Sequence, residues 1–360
     1  MPDPLPTAPA RVSLRVDVLT DTAAFAALEG EWDDLHDHAP DALPHESWAF
    51  LFSWWETHGT GYALRLVTLR DPASGQLVGL APLMVQRRRR VNTLTFLVDN
   101  EPLDVLAREG WGPAVEAAVG PALTALAGWT LAELRPVRPG ARMWRVYEQW
   151  RGPREHQAVT DYPYVPARPP DEVLAALRRN HRTTVRQALR RAAEDGLRVT
   201  PAPAERAAAA GGRLVELHRE LWAGRELSPS HATEGFARFV AAAAQRLTER
   251  GLGAVVEWVR DGRAEIAVLY LYGPDAVHVL HVGASRYAVE RFQWSALWLW
   301  EGLAMARARG VADLDLGYGE EPYKDRWGPR RVPHHRIRLG RGLLGRAFFA
   351  AKAARGAGRR

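Results

Sequence analysis

The sequence predicts a mixed α/β fold (α and β elements interspersed) in two units, and three observations carry that expectation. Its 360 residues exceed the roughly 250–300 over which a single hydrophobic core keeps growing. Both halves alternate helical and strand periodicity, with hairpins marked by turn residues. Between them, Arg151 to Pro170 is rich in Pro, Tyr and turn residues. A boundary there gives a first unit over 11–165, a second over 170–340 and a tail over 341–360.

The first unit opens with the alternating stretch Val12–Val18, patterned as an edge strand. Asp21 or Thr22 caps a helix over Ala23–Leu35. Trp48, Leu51, Phe52 and Trp55 fall at helical spacing and form a core stripe, which Gly59 ends. Leu64–Arg70 and Leu77–Gln86 read as a hairpin through the turn chemistry of Asp71–Gly75. Pro82 inside the second of these demands an edge or a bulge. The run Arg87–Arg90 reads as a solvated strand end. A strand over Leu94–Val98, a helix over Trp111–Leu126 and a strand over Leu131–Leu134 complete the unit. Tyr162–Val165 has strand character inside the linker.

The second unit begins with one long helix from Asp171, buried along Val173, Leu177, Val185, Leu189 and Ala192. Arg178, Arg182, Arg186 and Arg190 recur every four residues, a spacing at which like charges oppose one another. Either an acidic surface of the protein or a ligand phosphate should therefore lie against them. Helices over Leu214–Trp222 and Phe236–Arg250 follow. Strands over Leu252–Arg260, Ala264–Tyr272 and Ala276–Val282 are joined by turns at Asp261-Gly262 and Gly273-Pro274-Asp275. A helix over Arg291–Arg309 and a strand over Asp313–Leu316 end the pattern.

Composition narrows the chemistry. Hydrophobic residues make up 47%, and 14 Trp read as core anchors. With no Cys, disulfides, thiolate metal sites and a cysteine nucleophile are excluded. No apolar run reaches the roughly 18 residues of a transmembrane helix, and Met1–Ala10 lacks the features of a signal peptide. The default expectation is a cytoplasmic protein. The net charge of +6 conceals an asymmetry: eleven Lys and Arg, and no Asp or Glu, lie between Arg326 and Arg360. The other 325 residues carry 37 basic against 42 acidic groups. Such a tail either meets an anionic partner or serves solubility. Leu343, Leu344, Ala347, Phe348 and Ala351 form an apolar stripe along it, as in a helix lying on a membrane surface.

The stretch richest in chemistry is Asp313-Leu-Asp-Leu-Gly-Tyr-Gly-Glu-Glu-Pro-Tyr-Lys-Asp-Arg-Trp-Gly328. A short strand leads through glycines into a crowd of acids, bases and a phenol, a composition typical of active-site loops. The stretch resembles the segment Gly-Asp-Glu-Pro-Tyr-Lys of the cellulose-biosynthesis-protein type of acetyltransferase, a branch of the GNAT (Gcn5-related N-acetyltransferase) superfamily. It is also similar to the corresponding segment of Fem-type peptidyltransferases, which have a tandem GNAT fold. Leu217-His218, Trp222 and Ser228, the strand Gly79–Met84 and the basic helix from Asp171 match the same families in order.

The resemblance implies two tandem GNAT-like domains, the first degenerate, and transfer of an acyl group from acetyl-CoA or another acyl-CoA, without metal. Its acceptor would be the amine of a small molecule or an envelope precursor. Acyl transfer needs a polarised carbonyl, a base for the amine proton and an acid for the leaving thiolate. Tyr323 is the candidate acid, Glu265 the base, with Glu320 and Glu321 as runners-up, and Lys324 the stabiliser of developing charge. Gly283, Ala284, Ser285, Arg286, Arg291 and Ser295 would cradle the donor's pyrophosphate at a helix N-terminus. Phe292 and Trp294 stand where the family has small residues. His218, Trp222, Glu320, Glu321 and Trp327 are the candidate acceptor-site residues. Two alternatives are an aminoacyl-tRNA-dependent transferase of the Fem type, and a non-catalytic scaffold binding a partner or a membrane surface. The oligomeric state is not set by the sequence.

Overall fold

A computed structural model describes residues 13–87, 91–223, 229–319 and 321–357. The first half runs β1 (Arg15–Leu19), α1 (Thr22–Ala27), α2 (Glu29–Asp37), α3 (Trp48–His58), β2 (Tyr62–Arg70), β3 (Leu77–Arg87), β4 (Asn92–Phe96), β5 (Leu106–Ala107), α4 (Gly112–Ala125), β6 (Leu131–Val137), α5 (Met143–Gln149) and β7 (Arg154–Pro166). The second runs α6 (Pro170–Ala176), α7 (Arg179–Glu194), β8 (Arg198–Pro201), α8 (Ala207–Leu221), α9 (Glu234–Glu249), β9 (Gly253–Arg260), β10 (Arg263–Tyr272), β11 (Ala276–Ala284), α10 (Arg286–Arg291), α11 (Trp294–Ala308), β12 (Asp313–Asp315), α12 (Pro322–Asp325), β13 (Arg330–Gly340) and α13 (Gly342–Ala357).

Twelve of the strands form one sheet in the order β1-β2-β3-β4-β6-β13-β7-β12-β11-β10-β9-β8, and β5 joins it beside β3. The two halves are wired alike. Each contributes an antiparallel run followed by one parallel pair, β4 with β6 in the first and β11 with β12 in the second. Their final strands are exchanged. β13 pairs with β6 of the first half, β7 pairs with β12 of the second, and the two pair with each other. The Pro- and Tyr-rich stretch read as a linker is therefore mostly a 13-residue central strand. Pro163 and Pro166 suggested turns, but both fit antiparallel pairing at the end of the strand, opposite Arg331 and Asp313.

Local chemistry explains most element ends. Asp21 accepts from Ala24 N and Ser47 from Phe50 N, capping α1 and α3. Asp261 and Gly262 both have positive φ, the geometry of a tight hairpin between β9 and β10. Pro82 lies neither at an edge nor at a bulge. It sits where β3 passes from its pairing with β5 to that with β4, so no ladder bond needs its missing N–H. The long helix expected from Asp171 is two helices, because Leu177 and Arg178 are extended. Arg182 closes the first by donating to the carbonyls of Ala175 and Leu177. The helix expected over Arg291–Arg309 starts at Trp294, because Phe292 is extended and buried, and a separate short helix ends at Arg291.

The tail folds. Gly345 lets α13 approach Gly340, Phe349 packs on the same glycine, and Lys352 pairs with Glu155. Leu343 and Leu344 remain 83% and 66% exposed. No helix among the described residues is long and apolar enough to cross a membrane.

Candidate active site

The site lies where β11 and β12 part. They pair over only three residues, ending at His278 opposite Asp315. Opposite Tyr270, β11 then carries one extra residue, Leu280, which makes a bulge. Bulges re-aim side chains and cluster beside active sites. Past Asp315 the chain turns away through Gly317, whose φ of +69 and position against Val279 O leave no room for a side chain. The result is a fork in the sheet: among the described residues no strand pairs this side of β11 from Val279 onward, and its Val282 carbonyl is met by a side chain, His218. Such an edge can hydrogen-bond an extended ligand.

Asp315 organises the closed end of the fork. Its carboxylate accepts from His278 Nδ1 (2.9 Å) and from Gly317 N (2.9 Å). The Tyr164 hydroxyl is hydrogen-bonded to it as well. Burial, followed by the charge of Asp315, raises the Tyr164 phenol.

Tyr323 stands in α12 with its ring against Trp298 (5.8 Å) and Trp294 (6.2 Å). Burial, and then Glu321, push its phenol well up, so it stays protonated through the neutral range. Lys324 does not reach out to a ligand. Its side chain is 2% exposed, and its ammonium donates to the carbonyls of Gly317, Tyr318 and Gly319 at 2.9–3.4 Å and pairs with Glu321 at 2.9 Å. It clips the loop shut and has no donor left for developing charge. Glu321 is thereby engaged in the loop, and Glu320 lies outside the described residues. Trp327 is buried in the core, its ring near-perpendicular to that of His181 with centroids 5.4 Å apart.

Glu265 is also turned to structure. It is buried and accepts from the Ser285 hydroxyl, while its backbone carbonyl accepts from Ser285 N. Ser285 in turn caps α10. The expected pyrophosphate cradle at 283–286 is filled by the protein itself. A Cβ on Gly283 would stand 2.6 Å from Leu214 O and His218 N, so this glycine serves the contact of β11 with α8. Arg286 N donates to Glu220, the Arg286 guanidinium to Glu290, and Arg291 makes a two-pronged pair with Asp195. Ala284 is buried beneath this turn. The open terminus is one helix further on. Gln293 precedes α11 without a side-chain cap, and Ser295 and Trp294 lie in the first turn beside Tyr323. Free N–H groups of a helix of that length suit a phosphate.

His218 donates through Nδ1 to Val282 O (2.8 Å), and its Nε2 meets His231 Nδ1 (3.2 Å). His281, from the bulged strand, packs on His231 and Phe236. Trp222 stands 6.2 Å from His218 at the end of α8. His218 and Trp222 are thus near one another but set against the face of β11, apart from Tyr323 in the sequence of contacts. Sequence reasoning missed His278, Asp315 as its partner, and the first-half residues His45 and Glu101 behind them. No spacing connects these positions; only sheet order does.

The arginine stripe on α7 is not matched by the acidic body. Arg182 is spent on carbonyls and Arg190 meets only Glu194, at 3.5 Å. Arg178, Arg179, Arg186 and Arg191 are exposed. The described residues give them no carboxylate within ion-pair distance.

Residues 179–325 match the model of the acetyltransferase (GNAT) domain. Among solved structures, the chain is similar to FemX, at 14% identity and TM-score 0.58, over 86% of this chain and 95% of that one. It is similar to L-PGS from Bacillus licheniformis, at 10% identity and TM-score 0.52, over 94% and 96%. A conserved protein of unknown function from Bacteroides thetaiotaomicron matches at 9% identity and TM-score 0.56, over 91% and 100%. At these identities the likeness is one of fold. No curated protein matches the sequence.

Proposed function

We propose that the protein transfers an acyl group from an acyl-CoA thioester to an amine at the fork between β11 and β12. The observation that carries this reading is the fork itself. A short parallel pair opens at a bulge, inside the segment that matches the GNAT domain model. In the proposed complex the unpaired edge of β11 binds the extended arm of the donor. The first turn of α11, Gln293 to Ser295, takes the pyrophosphate in place of the filled turn at 283–286. Tyr323 then lies beside the leaving sulfur. A phenol held above its ordinary range serves better as a hydrogen-bond donor to that sulfur than as an acid that gives up its proton. The acceptor is a small-molecule or envelope-precursor amine, and the likeness of Leu316–Gly328 to the cellulose-biosynthesis-protein type is part of this proposal. The exposed leucines and basic residues of α13 support contact with an anionic membrane surface. Calorimetry with CoA, acetyl-CoA and longer acyl-CoAs tests the reading. Micromolar binding is expected, and silence across the chain lengths would refute it.

One observation favours a second donor class. The exposed arginines of α7 without carboxylate partners suit a polyanion, as an aminoacyl-tRNA donor would supply. Binding of tRNA should then weaken steeply as salt rises and fall in Arg179→Glu/Arg186→Glu. A salt-insensitive signal removes this reading.

A further inference from the structure

Where the two halves meet, a chain of titratable groups runs from solvent to the fork. Glu101, in the loop after β4, is 23% exposed, and its Oε2 lies 3.3 Å from Nε2 of the buried His45. The same loop is pinned where the Tyr162 hydroxyl donates to Asn100 O (2.8 Å). The His45 ring stands perpendicular to that of His278, centroids 5.2 Å apart, and His278 is held by Asp315. Each ring keeps one buried nitrogen without a hydrogen-bond partner: Nδ1 of His45 and Nε2 of His278. Buried polar atoms are nearly always paired. His278 Nε2 is turned toward Gly273, whereas the unpaired Nδ1 of His45 marks a place that takes another polar group.

We propose that His45 and Glu101, both from the first half, carry off the proton of the attacking amine. The inference rests on the acyl-transfer reading above. As the C–N bond forms and the C–S bond breaks, the electron pair of the latter leaves with sulfur. The amine proton goes to Nδ1 of His45, the Nε2 proton of the same ring passes to the Glu101 carboxylate, and Glu101 exchanges with solvent. His45 changes tautomer without accumulating charge. That suits its burial, which, with His278, Arg138 and His281, holds its pKa far down. Burial first, then the charge of Asp315, pushes Glu101 up to about 8. Tyr162 also faces it. The accepting carboxylate therefore grows in as pH rises through that value.

The test uses the full chain and its Glu101→Gln and His45→Gln variants. Imidazole nitrogen NMR should show the His45 signals shifting with a midpoint near Glu101's raised pKa, and that step should vanish in Glu101→Gln. Transfer from acetyl-CoA to a panel of primary amines, followed by thiol release, should show a kcat limb rising through the same pH. Glu101→Gln should lose that limb and about 100-fold in kcat at its top, with donor binding by calorimetry unchanged. A wild-type limb retained in Glu101→Gln overturns the relay while leaving the acyl-CoA reading intact. If no acyl-CoA binds the wild type, the acyl-CoA reading fails, and the relay falls with it unless the NMR step is present and lost in Glu101→Gln.

Discussion

Gly283→Ala separates two readings of one residue. The resemblance puts Gly283 in an expected pyrophosphate cradle, yet its α-carbon faces the backbone of α8. A methyl group there would sit 2.6 Å from Leu214 O and His218 N and 2.7 Å from Leu217 Cβ. The first two are backbone atoms in mid-helix and cannot swing aside. α8 would have to withdraw by roughly 0.8 Å to restore ordinary contact, and overpacking of this kind costs about 3 kcal/mol. Over 360 residues an unfolding entropy of roughly 2 cal/mol/K per residue turns that into a fall of about 4 °C in melting temperature. The control is Gly212→Ala, on the same helix, where an added Cβ meets nothing within 4 Å. It should be neutral or stabilise by roughly 0.5–1 kcal/mol. Thermal melts of both variants without donor, followed by calorimetry, check the pair. If Gly283→Ala melts with the wild type and only loses donor affinity, the packing argument is refuted and the glycine belongs to the cradle.

Two further outcomes are expected. Glu46 is buried and pushed up to about 7, mainly by burial. A raised carboxyl gives its full stability below the ordinary value near 4.5 and loses it as pH rises through 7. Between those limits the wild type should lose up to about 3 kcal/mol relative to Glu46→Gln. Urea unfolding of both at pH 5 and pH 8 measures this, and parallel curves would contradict it. Leu343→Ser/Leu344→Ser should weaken sedimentation with anionic vesicles about tenfold. Its melting temperature should not move, since both side chains are exposed. Equal sedimentation of variant and wild type would remove the membrane contact.

What the sequence showed depended on how local the signal was. The Trp48–Trp55 stripe, the Asp21 cap and the Asp261-Gly262 hairpin are written within a few residues, and each appears where expected. β7 and β13 are the opposite case. Both are polar and proline-bearing, and their buried positions are few: Tyr162, Pro163 and Val165 in β7, and His334, Ile337, Leu339 and Gly340 in β13. Their partners are each other and strands of the opposite half. Lys324 and Glu265 carried the right chemistry for a site, but the sequence held no sign that a loop of carbonyls would consume the one and a helix cap the other.

The strand exchange also explains why the site drew on residues that the sequence left unassigned. Because β7 lies directly against β12, Tyr164 reaches Asp315 across one strand spacing. β13 lies on the other side of β7 and stacks His334 on Tyr162, whose hydroxyl holds the loop carrying Glu101. The closed end of the fork is thus lined from both halves. The first unit shapes the second unit's site through Glu101 and the buried His45 behind it. The first half is therefore not dispensable to the site. Its contribution is the low-dielectric wall that shifts Glu101 upward and keeps His45 neutral.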